Sequence, residues 1–226
     1  MNPVRNLILG IDSSSQNLSF SILKGNKLLF DFNRCREFGA SSLIIEIHKA
    51  FKKLSLEPKD FDIFVIGCGP GSFTGLRVSF SIVKAFSIAT GKPIISLSSF
   101  FSCAWPFKDN FKDIAVICDA RKNLIYYGSF RSQNGNLIER AKIKLISLEG
   151  LTKVKADIFI TYDPYLRRKL SDCGFRMNIY PKDVYPRSAC LVAAVKNLYT
   201  KDKFTAVEKL EPLYLHPKTC QIRRKK

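Results

Sequence analysis

Histidine is almost missing from this chain: His48 and His216 are the only two in 226 residues. Neither stands at a metal-ligand spacing such as H-x-x-x-H, so a zinc-hydrolase reading starts without its ligands. The seven cysteines (Cys35, Cys68, Cys103, Cys118, Cys173, Cys190 and Cys220) are odd in number and contain no C-x-x-C pair. That argues against a disulfide framework or a zinc ribbon and for reduced, buried thiols. No apolar run approaches the roughly 20 residues of a membrane span, and Met1 to Leu9 has no signal-length apolar stretch, so a cytoplasmic protein without a membrane partner is expected. Negative charge is the other shortage, with 19 Asp and Glu against 37 Lys and Arg, a net charge of +18. Such a balance attracts polyanions, which makes RNA a partner to consider, through the basic surface or indirectly. The charges are spread, however, and only Lys218, Arg223, Arg224, Lys225 and Lys226 are concentrated, in a tail of the kind that is usually solvated.

What is present is 46% hydrophobic content, enough for one large domain or two lobes with their own cores. The most informative run is Gly67-Cys68-Gly69-Pro70-Gly71-Ser72-Phe73-Thr74-Gly75-Leu76-Arg77. Phe61 to Ile66 reads as a strand feeding it, and Leu76 to Thr90 as a helix leaving it, stopped at Gly91 with Pro93 beyond. Four glycines and a proline within nine residues imply a backbone course or a close approach that side chains would forbid. A phosphate cradle at a helix N-terminus is one explanation. Against it, the Walker pattern lacks its Gly-Lys-Ser/Thr ending, and Gly67, Gly69 and Gly71 miss the dinucleotide spacing. A tight strand-to-helix connection capped by Ser72 or Thr74 is the other explanation.

Leu7 to Ile11 reads as a strand, and Leu18 to Leu23 with Lys27 to Phe32 as a hairpin around Lys24-Gly25-Asn26. Leu43, Ile44, Ile47, Ala50, Phe51 and Leu54 recur at helical spacing behind the cap candidates Ser41 and Ser42. Pro93 to Leu97 is a further strand. The second half opens similarly, with strands at Ile114–Cys118, Leu124–Phe130, Leu137–Ile146 and Ala156–Thr161. Helices follow at Tyr165–Asp172 and, after Pro186-Arg187-Ser188, at Ala189–Tyr199, with Leu191, Ala194, Val195 and Leu198 as its apolar face. The expectation is an α/β protein of two tandem mixed-sheet lobes, suggesting duplication, over residues 1–103 and 104–204, with 205–222 returning to the first.

Hydrolytic or transfer chemistry needs a nucleophile with a base, a metal, or paired carboxylates. His48 falls among lysines and reads as a surface residue, and His216 stands beside Pro217. Asp12, ending the first strand, is the best acidic candidate. Asp12-Ser13-Ser14-Ser15 resembles the loop that faces nucleotide phosphates in actin-like and sugar-kinase-like folds, making Asp12, Ser13 and Ser14 nucleotide-binding candidates. It reads equally well as an Asx or Ser turn at a strand end. Asp119 and Arg121 open the second half in the same way, or form an internal ion pair.

Ile8 to Ser15, Gly69 to Arg77, Pro93 to Ser99 and Asp119-Ala120-Arg121 with Tyr126, in this order and spacing, resemble the TsaB family, also called YeaZ. The nine-residue glycine motif is the specific part, with a weaker echo at Tyr185-Pro186-Arg187 and Pro212-Leu213-Tyr214-Leu215. The resemblance implies the two-lobed actin-like ATPase (ASKHA) fold. It also implies a catalytically silent relative of TsaD that binds TsaD and supports threonylcarbamoyl transfer to an adenosine of tRNAs reading codons that begin with A. No cofactor is bound tightly on this reading; ATP is used by the complex through a TsaE-type ATPase, and a homodimer is the alternative assembly. Two departures stand out: the His-x-Glu pair of many members is replaced by Phe38-Gly39-Ala40-Ser41-Ser42, and the terminal Tyr-Leu-Arg reads Tyr214-Leu215-His216.

The helix after the glycine turn is apolar almost all round, through Leu76, Val78, Phe80, Ile82, Val83, Phe86 and Ile88, which calls for cover on both sides: the first lobe's sheet on one, and on the other either the Leu43 to Leu54 helix of the same domain or a helix from another chain. By resemblance this helix and the 43–54 helix pair with TsaD or a second copy. The candidate partner residues are Leu43, Ile44, Ile47, Phe51, Phe73, Leu76, Arg77, Phe80, Val83 and Lys84. The rival reading is an autonomous ATP-hydrolysing enzyme of the actin-like or sugar-kinase class using Asp12. A peptidase reading is weaker, because no Ser/His/Asp or metal constellation can be assembled.

Overall fold

A computed structural model of the chain describes residues 6–35, 42–198 and 204–216. In chain order the elements are β1 (Leu7–Asp12), β2 (Asn17–Lys24), β3 (Lys27–Cys35), α1 (Leu43–Leu54), β4 (Ile63–Gly67), α2 (Phe73–Thr90), β5 (Ile94–Leu97) and α3 (Ser99–Ala104). There follow β6 (Asp113–Asp119), β7 (Leu124–Gln133), β8 (Asn136–Ser147), α4 (Leu148–Thr152), β9 (Ile158–Ile160), α5 (Pro164–Asp172), α6 (Ser188–Leu198) and β10 (Phe204–Thr205). The described residues fall into two compact units, one within 1–105 and 185–212, the other within 106–184 and from Leu213 onward.

The first unit is built on a sheet of order β10-β5-β4-β1-β2-β3. β1 and β2 pair antiparallel, as do β2 and β3, while β1, β4 and β5 run parallel. Every residue of β1 and β4 is buried, so these strands lack the alternation of a half-solvated sheet and need cover on both faces. On one face Leu9, Ile11, Phe20, Phe64 and Ile66 meet Leu43, Ile47 and Phe51 of α1 and Leu76, Phe80 and Val83 of α2. Phe51, Phe61, Phe64 and Phe86 form a ring cluster with centroids 5.1–6.0 Å apart, locking both helices onto β4. On the other face Ile8, Ile63, Val65 and Ile95 meet Leu191, Val192 and Val195 of α6.

This second layer corrects the expected lobe boundary. Residues from Tyr185 onward, including α6, pack with the first unit rather than within a 104–204 lobe, because the sheet's second face is apolar and α6 supplies its cover. Gly10 makes the approach close: a Cβ there would overlap Val192 Cγ1. Of the 205–222 stretch, Thr205 pairs with Ile94, Leu210 enters the first core, and Leu213 to His216 go with the second unit. Tyr199, the cap candidate Ser41, the Leu198 side chain, residues 217–222 and the basic tail lie outside the described residues.

In the second unit the sheet order is β8-β7-β6-β9, with β6, β7 and β8 antiparallel neighbours and β9 parallel to β6. This repeats the β3-β2-β1-β4 order of the first unit: a three-strand meander whose first strand pairs in parallel with the next strand. The expected Ser132–Asn136 loop is tighter than read, since Asn134 and Gly135 alone turn the hairpin, both at positive φ (52° and 73°). Ala115, Ile117, Ile125, Phe159, Leu151, Leu166 and Leu170 form the core beneath α4 and α5.

Candidate functional site

The glycine turn meets the loop after β1 through a main-chain hydrogen bond and a bond from the Ser13 hydroxyl. The Ser72 N–H donates to the Ser14 carbonyl (2.6 Å), and Ser13 Oγ donates to the Gly75 carbonyl (2.7 Å). A Cβ on Gly71 would overlap the Ser14 carbonyl oxygen, and one on Gly75 the Ser13 carbonyl oxygen. The close approach demanded by the glycines is therefore made by the chain's own loop. Ser72 is the N-cap of α2, its Oγ accepting the Gly75 N–H at 3.2 Å, and Gly91 ends the helix in the left-handed region (φ 67°). The helix starts at Phe73, three residues before the position read from its apolar pattern.

Asp12 lies at the centre of this packing and is fully buried with Ser13 and Ser14. Its Oδ1 accepts the Ser14 N–H (2.9 Å) and the Ser14 hydroxyl (2.6 Å), the Asx-turn geometry. Its Oδ2 has no hydrogen-bond partner among the described residues and lies against Gly67, where a Cβ would overlap it. Burial pushes the Asp12 carboxyl above its ordinary value, opposed by the Ser14 hydroxyl and amide and by the nearby Ser99 hydroxyl. Ser99 Oγ accepts the Gly69 N–H (3.0 Å), tying α3 to the same turn. The nucleotide candidates Asp12, Ser13 and Ser14 are thus gathered, but engaged with the turn. In the second unit Asp119 Oδ2 accepts the Arg121 N–H at 3.2 Å, a backbone bond in place of the ion pair considered from sequence.

The partner candidates divide. Leu43, Ile47, Phe51, Leu76, Phe80 and Val83 point into the core, at most 6% exposed, so they are not available to another chain. Ile44, Phe73 and Arg77 are exposed and Lys84 is partly so. The reading of α2 as apolar all round is corrected accordingly. Phe73, Arg77, Ser81, Lys84 and Ile88 fall on one outward stripe, with Ile88 71% exposed and the Arg77 guanidinium 3.9 Å from the Phe73 ring centroid. On α1, which packs on the same core face as α2, Ile44 and Ile45 are exposed. Ile45 and Ile88 were missed as candidates; their apolar character at surface angles of otherwise one-sided helices is the signal that finds them.

A second polar cluster gives the Tyr185-Pro186-Arg187 echo its role. Asn17 Nδ2 donates to the Pro186 carbonyl (3.0 Å), Arg187 pairs with Asp31 (2.7 Å), and Ser188 bonds Ser21 (2.7 Å) and Ser19 (3.0 Å). These bonds seat the start of α6 on the β2–β3 hairpin. His48 is exposed on α1, and His216 Nε2 lies 2.8 Å from the Ala120 carbonyl with its ring edge-on to Tyr126. Among the described residues no group of three or more His, Cys, Asp or Glu side chains is placed to hold a metal ion, and no helix is long and apolar enough to cross a membrane.

A three-strand meander continued by a parallel strand, occurring twice, defines the class: two-domain α/β proteins of the actin-like ATPase fold. A solved Pseudomonas aeruginosa protein described as similar to "peptidase YEAZ" superposes over 93% of this chain and 100% of its own, with a TM-score of 0.80 at 17% identity. Residues 40–203 match the family model described as "TsaD: tRNA N6-adenosine threonylcarbamoyltransferase", and the chain belongs to that family, in its TsaB (YeaZ) branch. The "tRNA threonylcarbamoyladenosine biosynthesis protein TsaB" of Buchnera aphidicola subsp. Baizongia pistaciae is 24% identical over 92% of this chain and 97% of that protein. The protein of the same description from Bacillus subtilis is 26% identical over 58% of this chain and 57% of its own length.

Proposed function

We propose that the chain is a non-catalytic, cytoplasmic subunit of the machinery that makes threonylcarbamoyladenosine in tRNA. It binds a TsaD-type partner and supports the threonylcarbamoyl transfer which that partner carries out. The observation that carries the reading is the outward stripe of α2 with its α1 neighbours. Phe73, Ile88, Ile44 and Ile45 are large apolar side chains held at the surface by helices whose other faces are already used in the core. The loop where an actin-like enzyme would take nucleotide is instead bonded to the glycine turn, which favours a supporting role. ATP consumption belongs on this reading to the assembly, through a TsaE-type ATPase, and tRNA is met indirectly or by the basic surface.

The test is reconstitution. The chain and its TsaD co-elute and together restore threonylcarbamoylation of tRNA, and Phe73→Glu with Ile88→Glu abolishes both while leaving the isolated chain folded. Failure to co-elute and to restore modification overturns the proposal. ATP hydrolysis by the isolated chain that is lost in Asp12→Ala would replace it with an autonomous enzyme.

A further inference from the structure

Asp12 is fully buried, and no counter-ion faces its carboxyl among the described residues. The groups facing its carboxyl are the Ser14 amide and hydroxyl from its own loop, the Ser99 hydroxyl from α3 and the Cα of Gly67 from β4. None carries a charge. Oδ1 takes both bonds from Ser14, while Oδ2 makes no hydrogen bond of ordinary geometry among the described residues and shares the space beside Gly67 with Ser99 Oγ. Ser99 Oγ already accepts the Gly69 N–H, so its own proton and lone pair are what remain for Oδ2.

We propose that Asp12 is a positioning residue that works as the uncharged carboxylic acid, tying the loop after β1 to the glycine turn and thereby setting where α2 begins. Protonated at Oδ2, it gains a donor for the Ser99 side, while Oδ1 keeps both bonds from Ser14. The linkage continues through covalent neighbours. Ser14 receives the Ser72 N–H, Ser13 donates to Gly75, and Ser72 and Gly75 form the first turn of α2, from which Phe73 and Arg77 project. Ionising Asp12 would place an uncompensated charge between three elements and loosen this joint. Burial raises the carboxyl's proton affinity, as the assignment requires.

The sign of the pH dependence follows. A folded-state value raised above the unfolded 3.8 makes the Asp12 contribution complete below that value and progressively lost as pH rises through the folded value. The consequence for partner docking rests on the function proposed above, but the test uses the isolated chain and so fails or succeeds independently of it. Thermal unfolding of wild type and Asp12→Asn is followed from mildly acidic to neutral pH, with amide exchange at Ser72 and Gly75. The amide variant, similar in shape and able to donate to Ser99, should become more stable than wild type as pH rises, with slower exchange at both amides. A destabilised Asp12→Asn with an unchanged pH profile overturns the proposal. Should that variant not fold, carbon NMR titration of the wild-type Asp12 carboxyl decides: titration above the ordinary aspartate range supports the assignment, and titration at or below it overturns it.

Discussion

Gly71→Ala would drive a single methyl group into the Ser14 carbonyl oxygen, a main-chain atom that cannot swing aside. Overpacking of this kind costs about 1–3 kcal/mol, and the expected loss is readable as a lower urea midpoint at unchanged slope. Thiol chemistry gives a second check on burial. Desolvation pushes Cys118 up to about 12 and Cys190 up to about 11, whereas Cys35 and Cys173 are exposed. Since the thiolate is the reactive form, iodoacetamide at neutral pH should label Cys35 and Cys173 before the other cysteines of the described residues, and labelling of Cys118 should accelerate only on unfolding. Asp12 shows where sequence reading ends at this scale. Its position at a strand end before three serines was visible, but Gly67, which lies against its carboxyl, stands far along the chain at the end of β4, and only the fold brings them together.

At the scale of elements, α2 is the helix on which stability and partner binding can be separated. Val83→Glu places a charge in a fully buried site among Phe64, Phe80 and their neighbours and should unfold the first unit, a loss of more than about 4 kcal/mol. Ile88→Glu changes a side chain that is already in water and should leave the urea midpoint within about 0.5 kcal/mol while weakening association. Gly91→Ala, at φ 67°, should cost about 1 kcal/mol by straining the helix stop. Much of this helix was legible: Ser72 and Gly91 bracket it in the sequence by ordinary capping chemistry. The direction of its faces was less so. Phe73 and Ile88 supply apolar residues on the outward side, and they masked the one-sided burial of Leu76, Phe80 and Val83. The short α3, α4 and β10 carried too few residues for a period to be read.

At the scale of the whole molecule, a net charge of +18 is a source of self-repulsion. Added salt at neutral pH should therefore raise the melting temperature, as screening shortens the reach of like charges to about 8 Å at physiological ionic strength. Acid should act in the opposite direction as carboxylates lose their charge. The Arg131 guanidinium, bonded to Asp113 at 2.8 and 2.9 Å, holds that carboxyl below its ordinary value. Its contribution is present above the unfolded value and lost as pH falls through the lowered one, which a pH series with Asp113→Asn can isolate. The duplicated sheet order could be suspected from two similar openings in the sequence. The membership of α6 could not, because doubly apolar β1 and β4 announce that a second layer exists without saying which segment supplies it.

That late return of α6 bears on how the protein is born. A ribosome releases β1 to α3 first, then residues 106–184 of the second unit, and only afterwards the helix that covers Ile8, Ile63 and Val65. Until Leu191, Val192 and Val195 emerge, the nascent first unit carries an open apolar sheet face, which invites chaperones or misassembly during synthesis. The unit begun first is thus completed only after residues 106–184 of the other have been made, and any surface it offers to a partner becomes secure only once α6 has followed them.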